Sequence, residues 1–298
     1  MTKQQKRRWD EDGRNLFEFM GLPWPYRRPK QAWKRAEDGK ILTLADPHEP
    51  CANEVVMLHA WKYHRDARTV IVTGDLGDYY SRSRFRKRKH VAFRDELVAV
   101  FNRLEWLATN WLDVRVMIGN HDDRPEKYMT DNVPDAESLI MTERNMLDRL
   151  AGFFDNVQIV GHQVPGTAVN ITHIYQHGDI LFTHGEVSLK QDSGILTRID
   201  DYAKAWNSHL DLKPWRVLAQ SHNHRESSKA SSRGKKWMLL PTCSDPYGTS
   251  FDYIYTPRMM GTPPDVGFSI FWQFGGVTDI NESRSFVFPV VGGRTMPI

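Results

Sequence analysis

Apolar and polar positions along the chain fall into short blocks whose period changes from one block to the next. After Lys40 come Ile41, Leu42, Thr43, Leu44 and Ala45, an apolar run that stops at Asp46. A run of that length bounded by polar residues predicts a buried strand ending in a loop. Residues 53 to 65 carry Val55, Val56, Leu58, His59 and Trp61 in a helix-like pattern, and Thr69 to Thr73 return to a β-branched run that closes on Gly74 and Asp75. Residues 92 to 111 repeat apolar side chains at helical spacing, and Val114, Val116, Met117 and Ile118 form another strand that ends at Gly119 and Asn120. This alternation predicts βαβ units.

The pattern continues with a helix from about residue 137 to 150. Strand-like runs follow around Val157, Ile171, Ile180 and Val217, and then at 237 to 240, 268 to 274 and 286 to 291, so the second half reads as richer in β-structure. Residues 1–38 are dense in charge, Trp and Pro without one clean period, and are expected to form an extension to a main domain spanning 39–298. Residues 247–266 have few helix or strand signals, which predicts a long loop, one that could fold over a site.

Composition narrows the class. A chain of 298 residues can be filled by one large α/β domain. No apolar run approaches the roughly 18 residues that a membrane-spanning helix needs. The first residues mix acids with bases and lack an apolar stretch before a small-residue cleavage site, so the expected compartment is the cytoplasm. With only Cys51 and Cys243, neither a disulfide framework nor a four-cysteine zinc site is available. The net charge of +3 gives little support to nucleic-acid binding by bulk electrostatics. Arg82, Arg84, Arg86, Lys87, Arg88, Lys89 and His90 nevertheless form a local basic run, which reads either as a solvated surface or as an attraction for a polyanionic substrate.

The chemistry sits where polar residues stop the strands, since ligands of open α/β sheets gather outside the carboxyl ends of their strands. Five such ends carry metal-ligand residue types: Asp46-Pro47-His48; Gly74-Asp75-Leu76-Gly77-Asp78; Gly119-Asn120-His121-Asp122; His184-Gly185; and Ser221-His222-Asn223-His224. A site for two divalent cations needs a bridging carboxylate, neutral imidazoles and hard oxygen donors supplied from separate loops, and this set contains each. Singly the motifs are weak, because glycine, asparagine and aspartate after a strand are also ordinary turn residues.

In this order the five motifs resemble those of the calcineurin-like metallophosphoesterases: Asp-x-His, Gly-Asp-x-x-Asp, Gly-Asn-His-Asp/Glu, His, and Gly-His-x-His. The tract from Gly74 to Ser81 resembles a subgroup found in bacteria and their phages. The resemblance runs from about Lys40 to at least His224, and it implies a four-layer α/β/β/α sandwich of two mixed sheets flanked by helices. It implies that Asp46, His48 and His224 hold one metal ion, that Asn120, His184 and His222 hold the other, and that Asp75 bridges them. His121 is then the catalytic imidazole and Asp78 its orienting carboxylate, a pairing that would raise the imidazole pKa. The implied reaction is hydrolysis of a phosphomonoester or phosphodiester through a metal-bound hydroxide, with manganese the first expectation and iron, zinc, nickel or cobalt alternatives.

Two positions need comment. Ser221 stands where the family pattern has glycine, and His177-Gly178 competes with His184-Gly185 for the fourth motif; His184 is preferred because it follows the run Ile180 to Thr183 directly. A metal-dependent DNA nuclease, using Arg82, Arg84, Arg86 and Arg88 against the polyanion, and a binding scaffold that no longer catalyses are the other readings. The remaining histidines, His173 among them, read as surface or core residues, and most of the ten tryptophans as packing.

Overall fold

The structure, a computed structural model, describes residues 14–23, 38–84, 90–132, 145–163, 170–185, 192–230, 234–246, 264–291 and 294–298. In chain order the described strands and helices are β1 (Gly39–Leu44), α1 (Glu54–His64), β2 (Thr69–Thr73), α2 (Phe93–Asn110), β3 (Val114–Met117), α3 (Arg124–Asn132), α4 (Met146–Ala151) and β4 (Val157–Ile159). There follow β5 (His162–Gln163), β6 (Asn170–Ile171), β7 (Ile174–His177), β8 (Ile180–His184), α5 (Asp192–Leu210), β9 (Val217–Ser221), β10 (Ser227–Ala230) and β11 (Lys236–Leu239). The C-terminal strands are β12 (Gly267–Phe274), β13 (Val277–Val287), β14 (Val290–Val291) and β15 (Arg294–Thr295).

Two sheets carry the fold. The first has the order β13-β12-β1-β2-β3-β4, with β1 to β4 parallel and the β12-β13 hairpin antiparallel at one edge. The second has the order β10-β11-β9-β8-β7, parallel through β11, β9 and β8 and antiparallel at both edges. Side-chain alternation in the strands sorts the interior into layers. Leu42, Leu44, Val70 and Val72 join a core with α1, α2 and α4, whereas Ile41 and Ile71 point the other way, to a core shared with Phe182, Val217, Ala219 and Met238 of the second sheet. Leu181, Leu218 and Leu239 face a third core closed by Ile195, Leu196, Ile199 and Ala203 of α5. The architecture is therefore helices, sheet, sheet, helix: the α/β/β/α sandwich implied by the sequence resemblance.

The strands fall close to where the apolar runs placed them, because strands buried on both faces are continuous apolar runs. Helices are where the reading fell short. The second half contains a 19-residue helix, α5, that the β-rich expectation passed over; its apolar positions Ile195, Leu196, Ile199 and Ala203 form one face, broken up in the sequence by Arg198, Asp200 and Asp201. Of the helix expected over 137–150 the described part is Met146–Ala151, with Asn145 capping through its side chain onto the Leu147 N–H at 2.9 Å. The segment expected as an extension is partly integrated: residues 14–20 are helical, and Phe17 is fully buried between Phe101 and Phe153, at centroid distances of 5.1 and 4.7 Å. Most of the 247–266 loop lies outside the described residues. No described helix is long and apolar enough to cross a membrane.

Candidate metal centre

The parallel strands of both sheets point their carboxyl ends the same way, and there the sheets are stitched together. Ala45 bridges to Thr242 beyond β11, and the Ser221 hydroxyl donates to the Thr73 carbonyl at 2.5 Å. The β1 and β2 loops are also tied backbone to backbone, His48 N–H donating to Asp75 C=O at 2.9 Å and Glu49 N–H to Leu76 C=O at 2.8 Å. Ser221, where the resembling family has glycine, thus contributes a cross-sheet bond.

These loops are conformationally forced. Among the described residues, seven non-glycine positions have positive φ, and five of them are Asp46, His48, Asp75, His222 and His224. Left-handed backbone at an L-residue costs free energy, and its concentration on the expected ligand positions marks a site where side-chain direction outweighs local preference. Two glycines make the closeness possible. A Cβ on Gly74 would come within 2.3 Å of His184 Nδ1, and one on Gly119 within 2.1 Å of Asp75 Oδ1.

The nine residues expected at the site are brought to one place. Ligand atoms of Asp46, His48 and His224 lie within 4.8 Å of one another, as do those of Asp75, His184 and His222, and those of His48, Asp78 and His121. Asn120 Oδ1 is 3.0 Å from His184 Nε2, which adds it to the second group. Asp75 stands between the groups. Its Oδ1 accepts the His121 backbone N–H at 2.8 Å, while Oδ2 lies 3.4 Å from His184 Nε2, 3.8 Å from His48 Nε2 and 4.0 Å from His121 Nε2. That Oδ2 atom is buried and completes no hydrogen bond, and Asp46 Oδ1 is in the same position. Buried carboxylate oxygens that face imidazole nitrogens without completing a hydrogen bond keep the lone pairs with which a cation could be held.

His177, the rival for the fourth motif, sits at the other end of β7, hydrogen-bonded to Arg115 at 2.8 Å. His184 Nδ1 donates to the Thr73 carbonyl at 2.9 Å, so in its neutral form the ring would present the Nε2 lone pair toward Asp75 and Asn120, the tautomer a metal-binding imidazole needs.

Without cations the charges balance among themselves. Burial alone would lower the His184 pKa, but Asp75 and Asp46 outweigh it and hold the imidazole up at about 10. Burial and then His184 push His222 down to about 4, and burial with His48 keeps His224 well below the usual imidazole range. Burial raises Asp46 to about 6, whereas Asp75, despite burial, is held well below the usual carboxylate value by His184 and His121.

His121 and Asp78 form the expected pair, with Nδ1 2.9 Å from Oδ1. Arg124 also reaches this pair: its Nη1 donates to the Asp78 carbonyl at 2.8 Å, and its Nη2 to His121 Nε2 at 2.8 Å. Because a guanidinium only donates, His121 Nε2 accepts and the ring proton is on Nδ1, toward Asp78. The expected rise in the His121 pKa does not appear; burial outweighs Asp75 and Asp78, with His48 and Arg124 opposing a second positive charge, and the pKa is lowered. Arg124 was missed in the sequence, although its place three residues after His121 at a helix start was a usable signal, since such positions share a face.

Three further positions border the site. Asp122 is a clamp: its carboxylate accepts the N–H groups of Gly77 and Gly119, both at 2.9 Å, and of Leu76 at 3.3 Å. His173 lies at the rim, donating from Nδ1 to the Ile118 carbonyl at 2.9 Å with Nε2 3.8 Å from Asp123 Oδ2. Arg82 packs between the rings of Phe93 and Tyr128, 4.4 and 4.6 Å from their centroids. Arg86 and Arg88 lie outside the described residues. Cavities near Gly178 and Gly276, at the far end of the sheets, are lined by groups already paired, such as Arg115 with Asp113 at 2.7 Å and Asp179 with the Thr278 N–H at 2.9 Å.

No family model matches the chain, and no curated protein matches it. Solved structures are similar to it at low identity. A metallophosphoesterase from Sphaerobacter thermophilus is 12% identical, with 78% of this chain and 83% of that one covered and a TM-score of 0.39. A hypothetical protein from Thermus thermophilus is 14% identical over 84% and 98% of the two chains, with a TM-score of 0.41. A predicted phosphoesterase from Streptococcus pneumoniae is 13% identical over 85% and 99%, with a TM-score of 0.33. Identities this low leave the assignment of function to the residues themselves.

Proposed function

We propose that this protein is a metal-dependent phosphoesterase with a dinuclear centre, hydrolysing a phosphomonoester or phosphodiester. The observation that carries the reading is Asp75 Oδ2, buried without a hydrogen bond within 4.0 Å of imidazole nitrogens from three other loops. Asp46, His48 and His224 would hold one cation, Asn120, His184 and His222 the other, and Asp75 both. Bound there, divalent cations supply Lewis acidity toward a phosphoryl oxygen and lower the pKa of a water molecule. Manganese is the first candidate, with iron, zinc, nickel and cobalt as alternatives, since mixed nitrogen and oxygen donors accept several first-row metals.

The chain's own groups do the rest. Asp78 keeps the Nδ1 proton of His121 in place, so Nε2 is the atom at which His121 would take a proton from solvent and give it to a departing oxygen. Asn120 and His222 are the more exposed members of the cluster, so an ester would enter on their side. Buried Asp46, Asp75 and Asp78 surround the reacting region with negative charge, which disfavours a free phosphate dianion unless cations are bound.

The test is reconstitution of metal-depleted protein with manganese, zinc, iron, nickel or cobalt, followed by assay against phosphomonoesters, cyclic nucleotides, linear diesters and DNA. Hydrolysis that requires added metal is expected. Failure of every metal to bind stoichiometrically would remove the reading. The DNA arm tests the nuclease alternative, for which Arg84 remains a described basic residue beside the site loop.

A further inference from the structure

We infer that Arg124 is an anion-binding and positioning residue of this site, gripping a phosphoryl oxygen with the guanidinium nitrogen that now rests on His121. The inference deepens the phosphoesterase reading and rests on it for the chemical class of the anion. Asp78 anchors one side of the guanidinium: Nη1 donates to the Asp78 carbonyl at 2.8 Å and lies 3.4 Å from Asp78 Oδ1. Nη2 donates at 2.8 Å to His121 Nε2, a neutral acceptor that itself lies 4.0 Å from Asp75 Oδ2.

The placement is built into the turn. Arg124 N–H donates to the His121 carbonyl at 2.9 Å, folding the chain back so that residue i+3 lies over residue i as α3 begins. The side chain is 17% exposed, less open than a surface arginine and still reachable from solvent. Its ion pair with Asp78 Oδ1 is long, at 3.4 Å, and that oxygen is shared with His121 Nδ1 at 2.9 Å. The arginine is charged in either bond, but a phosphoryl oxygen brings a negative charge of its own, which the neutral imidazole does not, and the planar fork suits a tetrahedral oxyanion. An incoming phosphoryl group therefore competes well for Nη2 while Nη1 stays on Asp78. The same exchange frees His121 Nε2 on the side where the ester enters, so anion binding and release of the imidazole are one event.

The experiment uses the full-length, metal-loaded protein with inorganic phosphate as probe, followed by isothermal titration calorimetry, for wild type, Arg124→Ala and Arg124→Lys. In parallel, long-range proton–nitrogen correlation of the metal-free protein reports the His121 tautomer. Phosphate affinity should fall at least tenfold in Arg124→Ala and recover in part in Arg124→Lys, and a His121 population carrying its proton on Nε2 should appear in Arg124→Ala. With an ester substrate, Arg124→Ala should raise KM as well as lower kcat. Unchanged phosphate affinity in a folded Arg124→Ala protein would overturn the inference, as would a wild type that binds no phosphate. Arginine-dependent phosphate binding by a protein that hydrolyses no ester would support Arg124 and sink the hydrolase reading alone.

Discussion

The Asp122 carboxylate accepts the backbone N–H of Gly77 at 2.9 Å, across 45 residues of sequence. Its second oxygen takes the N–H groups of Gly119 and Leu76, so one buried side chain holds the β2 and β3 loops in register around Asp75. Burial and the neighbouring Asp75 push this carboxyl up to about 7, against the N–H donors that favour its charged form. Asp122→Ala orphans three buried donors, each costing about 1–3 kcal/mol. Denaturant unfolding should show a loss within that range or above it, and metal affinity should fall although no proposed ligand is touched. Wild-type stability in this variant would show that the loops hold themselves.

Asp75→Asn removes the one anionic group shared between the two proposed ligand sets. Elemental analysis after dialysis should find less than half the wild-type metal, and the thermal shift that metal gives the wild type should shrink with it. Full occupancy in the variant would contradict the shared role.

His121 lies beside the ligands without belonging to either set. His121→Ala should retain metal and the fold while turnover drops by roughly 10²- to 10⁴-fold, the range of a general acid. Equal kcat in variant and wild type would leave the Asp78–His121 pair with a structural role only.

His64 gives a pH dependence away from the site. It packs on Phe268 and Phe286 with Nδ1 buried and unbonded, and burial, with Lys40 nearby, lowers its pKa from 6.5 to about 4. The folded pKa lies below the unfolded one, so the unfolded chain binds the extra proton first. The His64 contribution is thus fully present above about pH 6.5 and is lost as pH falls toward about 4. Urea midpoints of His64→Phe should fall less than those of wild type between pH 7 and pH 5; parallel profiles would assign the acid sensitivity elsewhere.

Phe17 tests whether the N-terminal segment belongs to the domain core. Truncating a fully buried phenylalanine costs about 3–5 kcal/mol, and Phe17 lies edge-on to Phe101 with no exposed surface. Phe17→Ala should lower the single unfolding midpoint of the whole protein. A separate early transition, or none, would make residues 14–20 an independent appendage.

How much of this was legible in sequence follows from how each part is built. The runs 41–45, 69–73 and 180–183 announced strands because a strand covered on both faces has no polar side to interrupt it, and the polar residues that end those runs had to stand at the sheet's carboxyl edge. Residue types and their order at those edges carried the family resemblance, and that resemblance proposed Asp46, His48, Asp75, Asn120, His184, His222 and His224. Helix α5 was harder to see because it buries one face only and fills the rest with Asp, Lys and Arg, so its signal is spread over 19 residues. What only tertiary structure decided are contacts between residues remote in the chain: Ser221 reaching Thr73, Phe17 entering the core beside Phe101, and Arg82 committed to Phe93 and Tyr128. The strained backbone at five proposed ligand positions belongs with these, because positive φ is imposed by the surrounding fold where the residue's own preference opposes it. Local composition dictates which elements form and where their polar ends lie, whereas distance-dependent interactions exist only after packing has brought those ends together.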